Sequence, residues 1–361
     1  MNITKDQVLE ALSTVHDPDL KKDLVYLNMI EKIQIEGNKL SFTVVLTTPA
    51  CPLKEQIEAD CRKAISTLIS PDLDVSIEMT ARVTTPRKDL NLLPGVRNIV
   101  CVASGKGGVG KSTVAVNLAL ALARKGAKVG IIDADIHGPS IPIMFGLKGE
   151  RPAIQKIENK HYILPIEKWG VKILSIGFLI DERQSVVWRG PMVSSALRQF
   201  VTDVIWGELD YLLLDLPPGT GDVHLTIAQT LPITGAVIVT TPQDVALADA
   251  QKGISMFRME SINIPVIGVV ENMSYFTPKE LPQNRYYIFG KGGGRRIAEE
   301  FDTNFLGEIP LVQSIREGGD FGAPVVLEKE NPTAEAFMNL GENVARYISI
   351  LNAEKKEVKQ V

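Results

Sequence analysis

The stretch that decides the fold is IVCVASGKGGVGKST, residues 99–113. Its first five residues form an apolar, β-branched run that predicts a buried strand, and the apolar sequence VAVNLALALARKG that follows predicts a helix. Between them, Gly105 to Ser112 matches the pattern G-x-x-x-x-G-K-S. In this pattern, backbone N–H groups at a helix N-terminus surround phosphate groups. The strand–loop–helix order therefore predicts a nucleoside triphosphate site.

The same glycines allow a second interpretation. Gly105, Gly107 and Gly110 also spell G-x-G-x-x-G, and Asp133 follows the next apolar run. An acidic residue about 20 positions beyond the glycines is typical of a dinucleotide site. Lys111 and the serine after it separate the two interpretations, because a triphosphate site uses them and a dinucleotide site does not. We favour the triphosphate site over the dinucleotide site and over a glycine-rich turn without a ligand.

Further apolar runs, separated by helical stretches, continue this pattern toward the C-terminus. Continuous rather than alternating apolar residues are typical of strands buried on both faces of a parallel sheet. The sequence therefore predicts an α/β fold: a doubly wound, mostly parallel sheet with ligands at the carboxyl ends of its strands. The runs are IVCVAS, VGIIDAD, VKILSIGF, YLLLDLPP, GAVIVTTP and PVIGVVENM.

Residues 1–83 are predicted to form a separate, small α+β domain. Their helical and alternating stretches predict two helices and three strands. Residues 84–98 carry turn and charge signals without a period and are predicted to be a linker, which leaves 99–361 as the nucleotide-binding domain. The predicted elements are helices Asp6–Val15 and Pro52–Leu68, and strands Met29–Gln34, Lys39–Leu46 and Asp74–Met79.

Composition narrows the class of protein. The 361 residues carry a net charge of −4, which argues against a general nucleic-acid-binding surface. The N-terminus has no signal-peptide pattern, and no apolar run reaches the roughly 18 residues of a membrane span. Three cysteines are too few for a disulfide framework and suit a reducing compartment. We expect a cytoplasmic protein that binds neither nucleic acid nor membrane.

Lys106 is a second lysine inside the phosphate loop. Residues 106–113 therefore read K-G-G-V-G-K-S-T, which is the deviant form of this loop. Together with IIDADIHGPS, DLPPGTGD and ENMS, it closely resembles the Mrp/ApbC family of iron–sulfur cluster carrier ATPases. DPDL at 17–20 and TPACPL at 48–53 resemble the small MIP18-like domain that many bacterial members carry. The resemblance implies a homodimer that binds and hydrolyses ATP and passes clusters from scaffold proteins to apo iron–sulfur proteins. Hydrolysis is expected to be slow, because nothing in the sequence suggests a complete activation apparatus.

The loop and the strand ends supply the predicted site residues. Lys111 is expected to reach the β/γ-phosphates, and the Ser112 hydroxyl to bind Mg²⁺. Asp215 ends an apolar strand, the position of a carboxylate that holds Mg²⁺, although an Asp there also caps turns. The predicted ATP-binding residues are Gly105, Lys106, Gly107, Gly108, Val109, Gly110, Lys111, Ser112, Thr113 and Asn272.

The resemblance implies four further roles. Asp135 would position the attacking water, Asp133 would lie near the Mg²⁺ ion, and Asn272 would contact adenine. Lys106 would reach the nucleotide of the opposite subunit, in the manner of an arginine finger. Asp135 as a solvated acid, Asn272 as a turn former and Lys106 as a surface lysine remain the alternatives. Gly219 and Gly221 lie in a candidate switch loop.

The cluster ligands do not follow from the resemblance. Many relatives have C-x-x-C after ENMS, but residues 275–294 contain no cysteine. Cys51 is the remaining candidate for a cluster, expected to be of the 4Fe–4S type, because it precedes a predicted helix start, where the helix dipole would lower its thiol pKa. Cys61 is the second candidate, Cys101 is expected in the core, and Cys51 as a packing residue stays open.

Two other functions compete with cluster transfer. A partitioning or positioning ATPase acting on DNA or membrane shares the deviant loop, but it would need a basic patch or an amphipathic anchor. A chaperone that inserts a metal other than iron is the third possibility.

Overall fold

The computed structural model describes residues 3–85, 93–135, 138–179, 190–278, 280–281 and 283–357. The chain forms two compact units, one of residues 1–86 with 345–361 and one of residues 87–344. The helices are α1 Lys5–Leu12, α2 Lys54–Leu68, α3 Lys111–Arg124, α4 Ile141–Met144, α5 Gly190–Thr202, α6 Asp222–Thr230, α7 Asp244–Arg258, α8 Gly293–Glu300, α9 Gln313–Asp320 and α10 Pro332–Glu357. The strands are β1 His16–Asp17, β2 Lys22–Asp23, β3 Ile30–Glu36, β4 Lys39–Leu46, β5 Asp74–Ala81, β6 Val96–Ala103, β7 Val129–Asp133, β8 Ala153–Ile157, β9 Lys160–Leu164, β10 Ile166–Lys168, β11 Val171–Ser175, β12 Leu209–Asp215, β13 Gly235–Thr240, β14 Val266–Phe276 and β15 Phe305–Leu311.

The second unit is built on an eight-stranded sheet in the order β10-β11-β7-β12-β6-β13-β14-β15. Only the β10–β11 pair is antiparallel among the described pairs of this sheet. All seven residues of β12 are buried, as expected for a strand covered on both faces. The predicted α/β fold with a mostly parallel sheet and flanking helices is confirmed.

Strand β6 lies in the middle of the sheet, between β12 and β13. From β6 the chain crosses to β7 on one side, and from β12 it crosses back to β13 on the other side. Parallel sheets bind ligands at such a reversal, outside the carboxyl ends of the strands. The loop after β6 therefore lies at the preferred binding position of the sheet.

The first unit has a three-stranded sheet with β4 in the centre, antiparallel to β3 and parallel to β5. Helix α1 begins with a capping box in which Thr4 and Gln7 satisfy each other's backbone N–H groups. The apolar faces of α1 and α2 pack on this sheet around a core that includes Val8, Phe42 and Cys61. Two helices on a three-stranded sheet are the elements that the sequence predicts for this small α+β unit.

The bounds of the compact units differ from the predicted domain boundaries at both ends of the nucleotide-binding domain. Strand β6 begins at Val96, slightly before the boundary placed at residue 99, and residues 86–92 of the predicted linker lie outside the described part of the chain. The end of α10, assigned to the nucleotide-binding domain from sequence, clusters with the first unit. The Arg346 guanidinium donates to both carboxylate oxygens of Asp19, and the Asn352 amide donates to the Thr84 carbonyl.

Candidate functional site

The loop between β6 and α3 has a backbone that only glycine accommodates at two points. Gly110 precedes the first residue of α3 with φ +80°, and a Cβ on it would lie 2.2 Å from the Asn272 amide nitrogen. A Cβ on Gly105 would lie 2.2 Å from the backbone of Asp249 in α7. No side chain among the described residues caps α3, and the N–H groups of an uncapped first turn suit an anion.

Lys111 and Asp215 form a buried ion pair below this loop. The lysine Nζ lies 2.6 Å from Asp215 Oδ1, 3.2 Å from the Ser112 hydroxyl and 4.0 Å from an oxygen of Asp135. Burial raises the pKa of Asp215, and the Lys111 ammonium opposes that shift. The second carboxylate oxygen of Asp215, Oδ2, is buried without a hydrogen-bond partner among the described residues. One oxygen of Asp215 is therefore left for a ligand.

Asp133 is fully buried at the end of β7, and protein donors occupy both of its carboxylate oxygens. Oδ1 accepts from the Asp135 N–H at 3.2 Å, and Oδ2 accepts from the Ser175 hydroxyl at 3.0 Å and the Ile141 N–H at 3.3 Å. Burial, reinforced by the charge of Asp215, raises the pKa of Asp133 to about 8. The structure thus brings all three predicted acids, at 133, 135 and 215, to the loop.

Asn272 also lies at the loop. Its side-chain amide, which is buried, donates to the Val109 carbonyl at 2.8 Å. This contact links β14 to the phosphate loop, and it is the contact that a side chain at Gly110 would break. The role of Asn272 toward adenine remains a prediction.

The candidate switch loop, residues 217–221, is bonded directly to the start of the phosphate loop. The Gly219 N–H donates to the Ser104 carbonyl at 2.9 Å, and the Ser104 hydroxyl donates to the Lys106 carbonyl at 2.9 Å. The Lys106 side chain is half-buried and forms no ion pair with another described residue. Its ammonium group is therefore free to meet a charge from outside this chain.

Cys51 lies in a different environment from the one predicted. Helix α2 begins at Lys54, and burial raises the pKa of the Cys51 thiol, an effect that the Leu53 N–H only partly opposes. The predicted lowering of this pKa by a helix start is therefore wrong. Asp17 and Asp19 raise it further. DPDL and TPACPL do meet here: they line one small cavity, whose residues are Asp17, Asp19, Leu20, Thr47, Thr48, Cys51, Pro52, Arg346, Ser349 and Ile350.

The other two cysteines are buried. Cys61 lies in the core of the first unit, where burial raises its pKa to about 12, and Cys101 lies inside β6, as predicted, with its pKa raised by burial. In the part of the chain that the structure describes, no group of three or more His, Cys, Asp or Glu residues is placed to hold a metal ion. A cluster on Cys51 would therefore need ligands from outside one chain.

Sequence reasoning missed two residues of the site. Ser175 donates to Asp133 from the end of the neighbouring strand, and its position at a strand end was a usable signal. His224, near the start of α6, is almost fully buried beside the switch loop. It lies next to the DLPPGTGD segment, but a single histidine offers no spacing pattern to interpret.

The fold and the loop geometry define the class: the chain is a P-loop NTPase. Residues 95–345 match the NUBPL iron-transfer P-loop NTPase family, and residues 5–79 match the iron-sulfur cluster assembly protein family. The chain belongs to the NUBPL iron-transfer P-loop NTPase family.

Relatives match the chain over nearly its full length. It is 48% identical to the iron-sulfur cluster carrier protein of Synechocystis, over 96% of this chain and 99% of that protein. It is 51% identical to the iron-sulfur cluster carrier protein of Deinococcus radiodurans, over 96% of each. A nucleotide-binding protein of Archaeoglobus fulgidus, solved in complex with ADP, superposes with a TM-score of 0.58 at 40% identity, over 67% of this chain and 92% of that one. No described helix is long and apolar enough to cross a membrane.

Proposed function

We propose that this protein is an ATP-hydrolysing carrier that takes up an iron–sulfur cluster and passes it to apo-proteins. The observation that carries the proposal is that one chain combines a phosphate loop, with its buried Lys111–Asp215 ion pair, and a match to the iron-sulfur cluster assembly protein family. The names and near-complete coverage of the Synechocystis and Deinococcus radiodurans relatives support it. The comparisons give no support to a DNA- or membrane-positioning function.

ATP would bind along residues 105–113, with its phosphates on the N–H groups of the loop and the first turn of α3. Lys111 would exchange part of its contact with Asp215 for the β/γ-phosphate oxygens. Asn272 would face the adenine from the side of the loop that its amide already holds. A compact ammonium group suits this task, because it donates in several directions to phosphate oxygens.

Magnesium fits the residues present. The orphaned, buried Asp215 Oδ2 and the Ser112 hydroxyl beside Lys111 are oxygen donors of the kind that Mg²⁺ prefers, and they would hold it. Asp133, whose oxygens already accept from protein donors, would act through water. When bound, Mg²⁺ neutralises charge that develops on the phosphates.

Hydrolysis would need residues beyond the phosphate loop. Asp135 lies 4.0 Å from Lys111 with part of its side chain exposed, a place from which a carboxylate can orient a water molecule. Lys106, without an ion pair among the described residues, would complete the site of a second subunit in a homodimer. A site that waits for a partner's lysine would turn over slowly in the monomer.

Cys51 is the proposed cluster contact, because the other two thiols are buried in the cores of their units. One thiol cannot hold a cluster alone. Cys51 of two subunits would supply two of the four thiolates that a 4Fe–4S cluster takes, and a scaffold or acceptor protein would supply the others. Three unpaired thiols suit the reducing cytoplasm, which is the proposed compartment.

Anaerobic reconstitution tests the proposal. Wild-type protein and the variants Cys51→Ala and Cys61→Ala are incubated with iron and sulfide, and iron content and visible absorbance are measured. We expect the wild type and Cys61→Ala to load a cluster and Cys51→Ala to lose it. Equal loading of all three would remove Cys51 from the site, and no loading of the wild type would contradict the carrier function. Cosedimentation with DNA or liposomes that depends on ATP would favour the positioning function instead.

A further inference from the structure

His224 lies under the switch loop with its ring enclosed by protein. It is the third residue of α6, which begins after Gly221 without a side-chain cap. Its Nδ1 lies 3.3 Å from the Gly221 carbonyl oxygen, which also accepts from the His224 backbone N–H at 3.0 Å. Only 2% of the residue is exposed. The side chain is thus bonded to Gly221, the last residue of the loop, which directly precedes α6.

The protonation state of this ring follows from its surroundings. Burial lowers the pKa of His224, the carbonyls of Gly221 and Pro217 oppose that shift in part, and the nearby Lys111 ammonium lowers it further. The imidazole is therefore neutral near pH 7, with one ring proton. Because a carbonyl oxygen only accepts, the contact with Gly221 assigns that proton to Nδ1. Nε2 is then a buried acceptor, without a hydrogen-bond partner among the described residues.

A buried nitrogen without a hydrogen-bond partner costs free energy. Leucine would fill a similar volume without that cost. The ring is bonded to the end of the loop at Gly221, and the Gly219 N–H holds the centre of the loop to the Ser104 carbonyl. Ser104 in turn holds the backbone of Lys106. The loop is therefore bonded to His224 at Gly221 and to the start of the phosphate loop at Gly219, two residues apart in the chain.

We infer that His224 is a positioning residue for ATP hydrolysis: its Nδ1–H, bonded to the Gly221 carbonyl, holds residues 217–221 against the phosphate loop. The residue acts through the loop and touches no phosphate itself. Fixing the loop places the backbone that meets the γ-phosphate end of the site, and displacement of such groups by about 1 Å can cost about 100-fold in rate. This inference rests on the NTPase class of the chain and not on cluster transfer.

Steady-state ATPase measurements on the full chain test it with three substitutions at this position. His224→Asn retains an N–H near the place of Nδ1, His224→Gln places its amide near Nε2, and His224→Leu removes both. We expect His224→Leu and His224→Gln to lower kcat about 10- to 100-fold while the KM for ATP changes less than about 3-fold. His224→Asn should restore most of kcat. His161→Leu, at an exposed histidine in β9, is the matched control.

The rate of hydrogen exchange at the Gly219 amide is a second measurement. A general loss of packing would raise exchange rates elsewhere as well, whereas loss of the His224 contact should raise the rate in the loop selectively. We expect faster exchange in His224→Leu than in His224→Asn, with equal exchange in the central strand β6. Wild-type kcat in His224→Leu would overturn the inference. A kcat in His224→Asn as low as in His224→Leu would also overturn it, because the Nδ1 donor would then be irrelevant. If His224→Leu fails to fold, the comparison of His224→Asn with His224→Gln decides by the same criterion.

Discussion

The Nζ atom of Lys111 lies 2.6 Å from Oδ1 of Asp215, although the two residues are 104 positions apart in the chain. They meet because β6 and β12 are parallel neighbours, so that the start of α3 and the end of β12 lie at one edge of the sheet. Both side chains are buried, and the Asp215 carboxylate lies opposite the charge of Lys111. We expect Lys111 to exchange part of this contact for phosphate oxygens when a nucleotide binds.

Replacing Lys111 by alanine should remove that exchange. A charge-assisted hydrogen bond contributes about 1.5–3 kcal/mol, so the Kd for ATP should rise about 10- to 100-fold. Isothermal titration with ATP and Mg²⁺ measures the change, and Lys160→Ala, at an exposed lysine in β9, is the control. Unchanged affinity and turnover in Lys111→Ala would refute the phosphate site.

The clash that a side chain at Gly110 would make with Asn272 can be distinguished from the effect of backbone strain. Gly110 and Gly149 have nearly equal φ angles, +80° and +82°, but a Cβ would meet Asn272 only at Gly110. We expect Gly110→Ala and Gly149→Ala both to lower the free energy of unfolding by about 1 kcal/mol or more through strain. Only Gly110→Ala should also abolish nucleotide binding. Equal affinities for ATP in the two variants would show that the loop tolerates the added methyl group.

Asp133 should make the free energy of unfolding of the nucleotide-free protein depend on pH. Its pKa is raised to about 8 by burial and by Asp215, against about 3.9 in an unfolded chain. Between these values the folded protein binds a proton that the unfolded chain lacks, so the free energy of unfolding should fall as the pH rises through this window. Urea unfolding at about pH 5 and about pH 8 should show a smaller fall for Asp133→Asn than for the wild type. Asp72→Asn, in an exposed turn, should behave as the wild type does.

The proposed action of Lys106 across a dimer interface predicts complementation. Lys106→Ala and Lys111→Ala subunits should each be inactive alone. In a mixed dimer, one composite site would lack both lysines and the other would keep both, so ATPase activity should reappear on mixing. Activity that never recovers, in mixtures shown by native mass spectrometry to contain mixed dimers, would place Lys106 in its own subunit's site or outside the site.

The sequence predicts best where local pattern decides the structure. The phosphate loop needs glycines at fixed positions and a lysine at a helix start, and the buried strands need continuous apolar runs, so both were located correctly. Strand β4 was predicted with its observed bounds. The short edge strand β10 and the exposed β8–β9 hairpin were not predicted, because they bury too few residues to leave an apolar pattern.

The contacts that complete the site depend on tertiary placement. Ser175 reaches Asp133 across 42 positions because β11 lies beside β7, and no spacing rule along the chain encodes that contact. The pKa of Cys51 was predicted in the wrong direction for a related reason. A helix start near a thiol lowers its pKa only if the thiol faces the helix end and water, whereas burial beside two aspartates dominates here. In each case the side chain's surroundings, supplied by distant residues, outweigh the local signal.

Cluster transfer to an acceptor tests the central claim most directly. Wild-type protein, reconstituted anaerobically and freed of unbound iron and sulfide, is mixed with an apo-ferredoxin in the presence of a chelator that captures free iron, and the spectrum of the holo-acceptor is followed. We predict that the acceptor gains its cluster in the presence of the chelator, and that Lys111→Ala protein no longer changes its transfer rate on addition of ATP and Mg²⁺. A wild-type protein that accepts no cluster, or that releases iron only to the chelator, would contradict the carrier function.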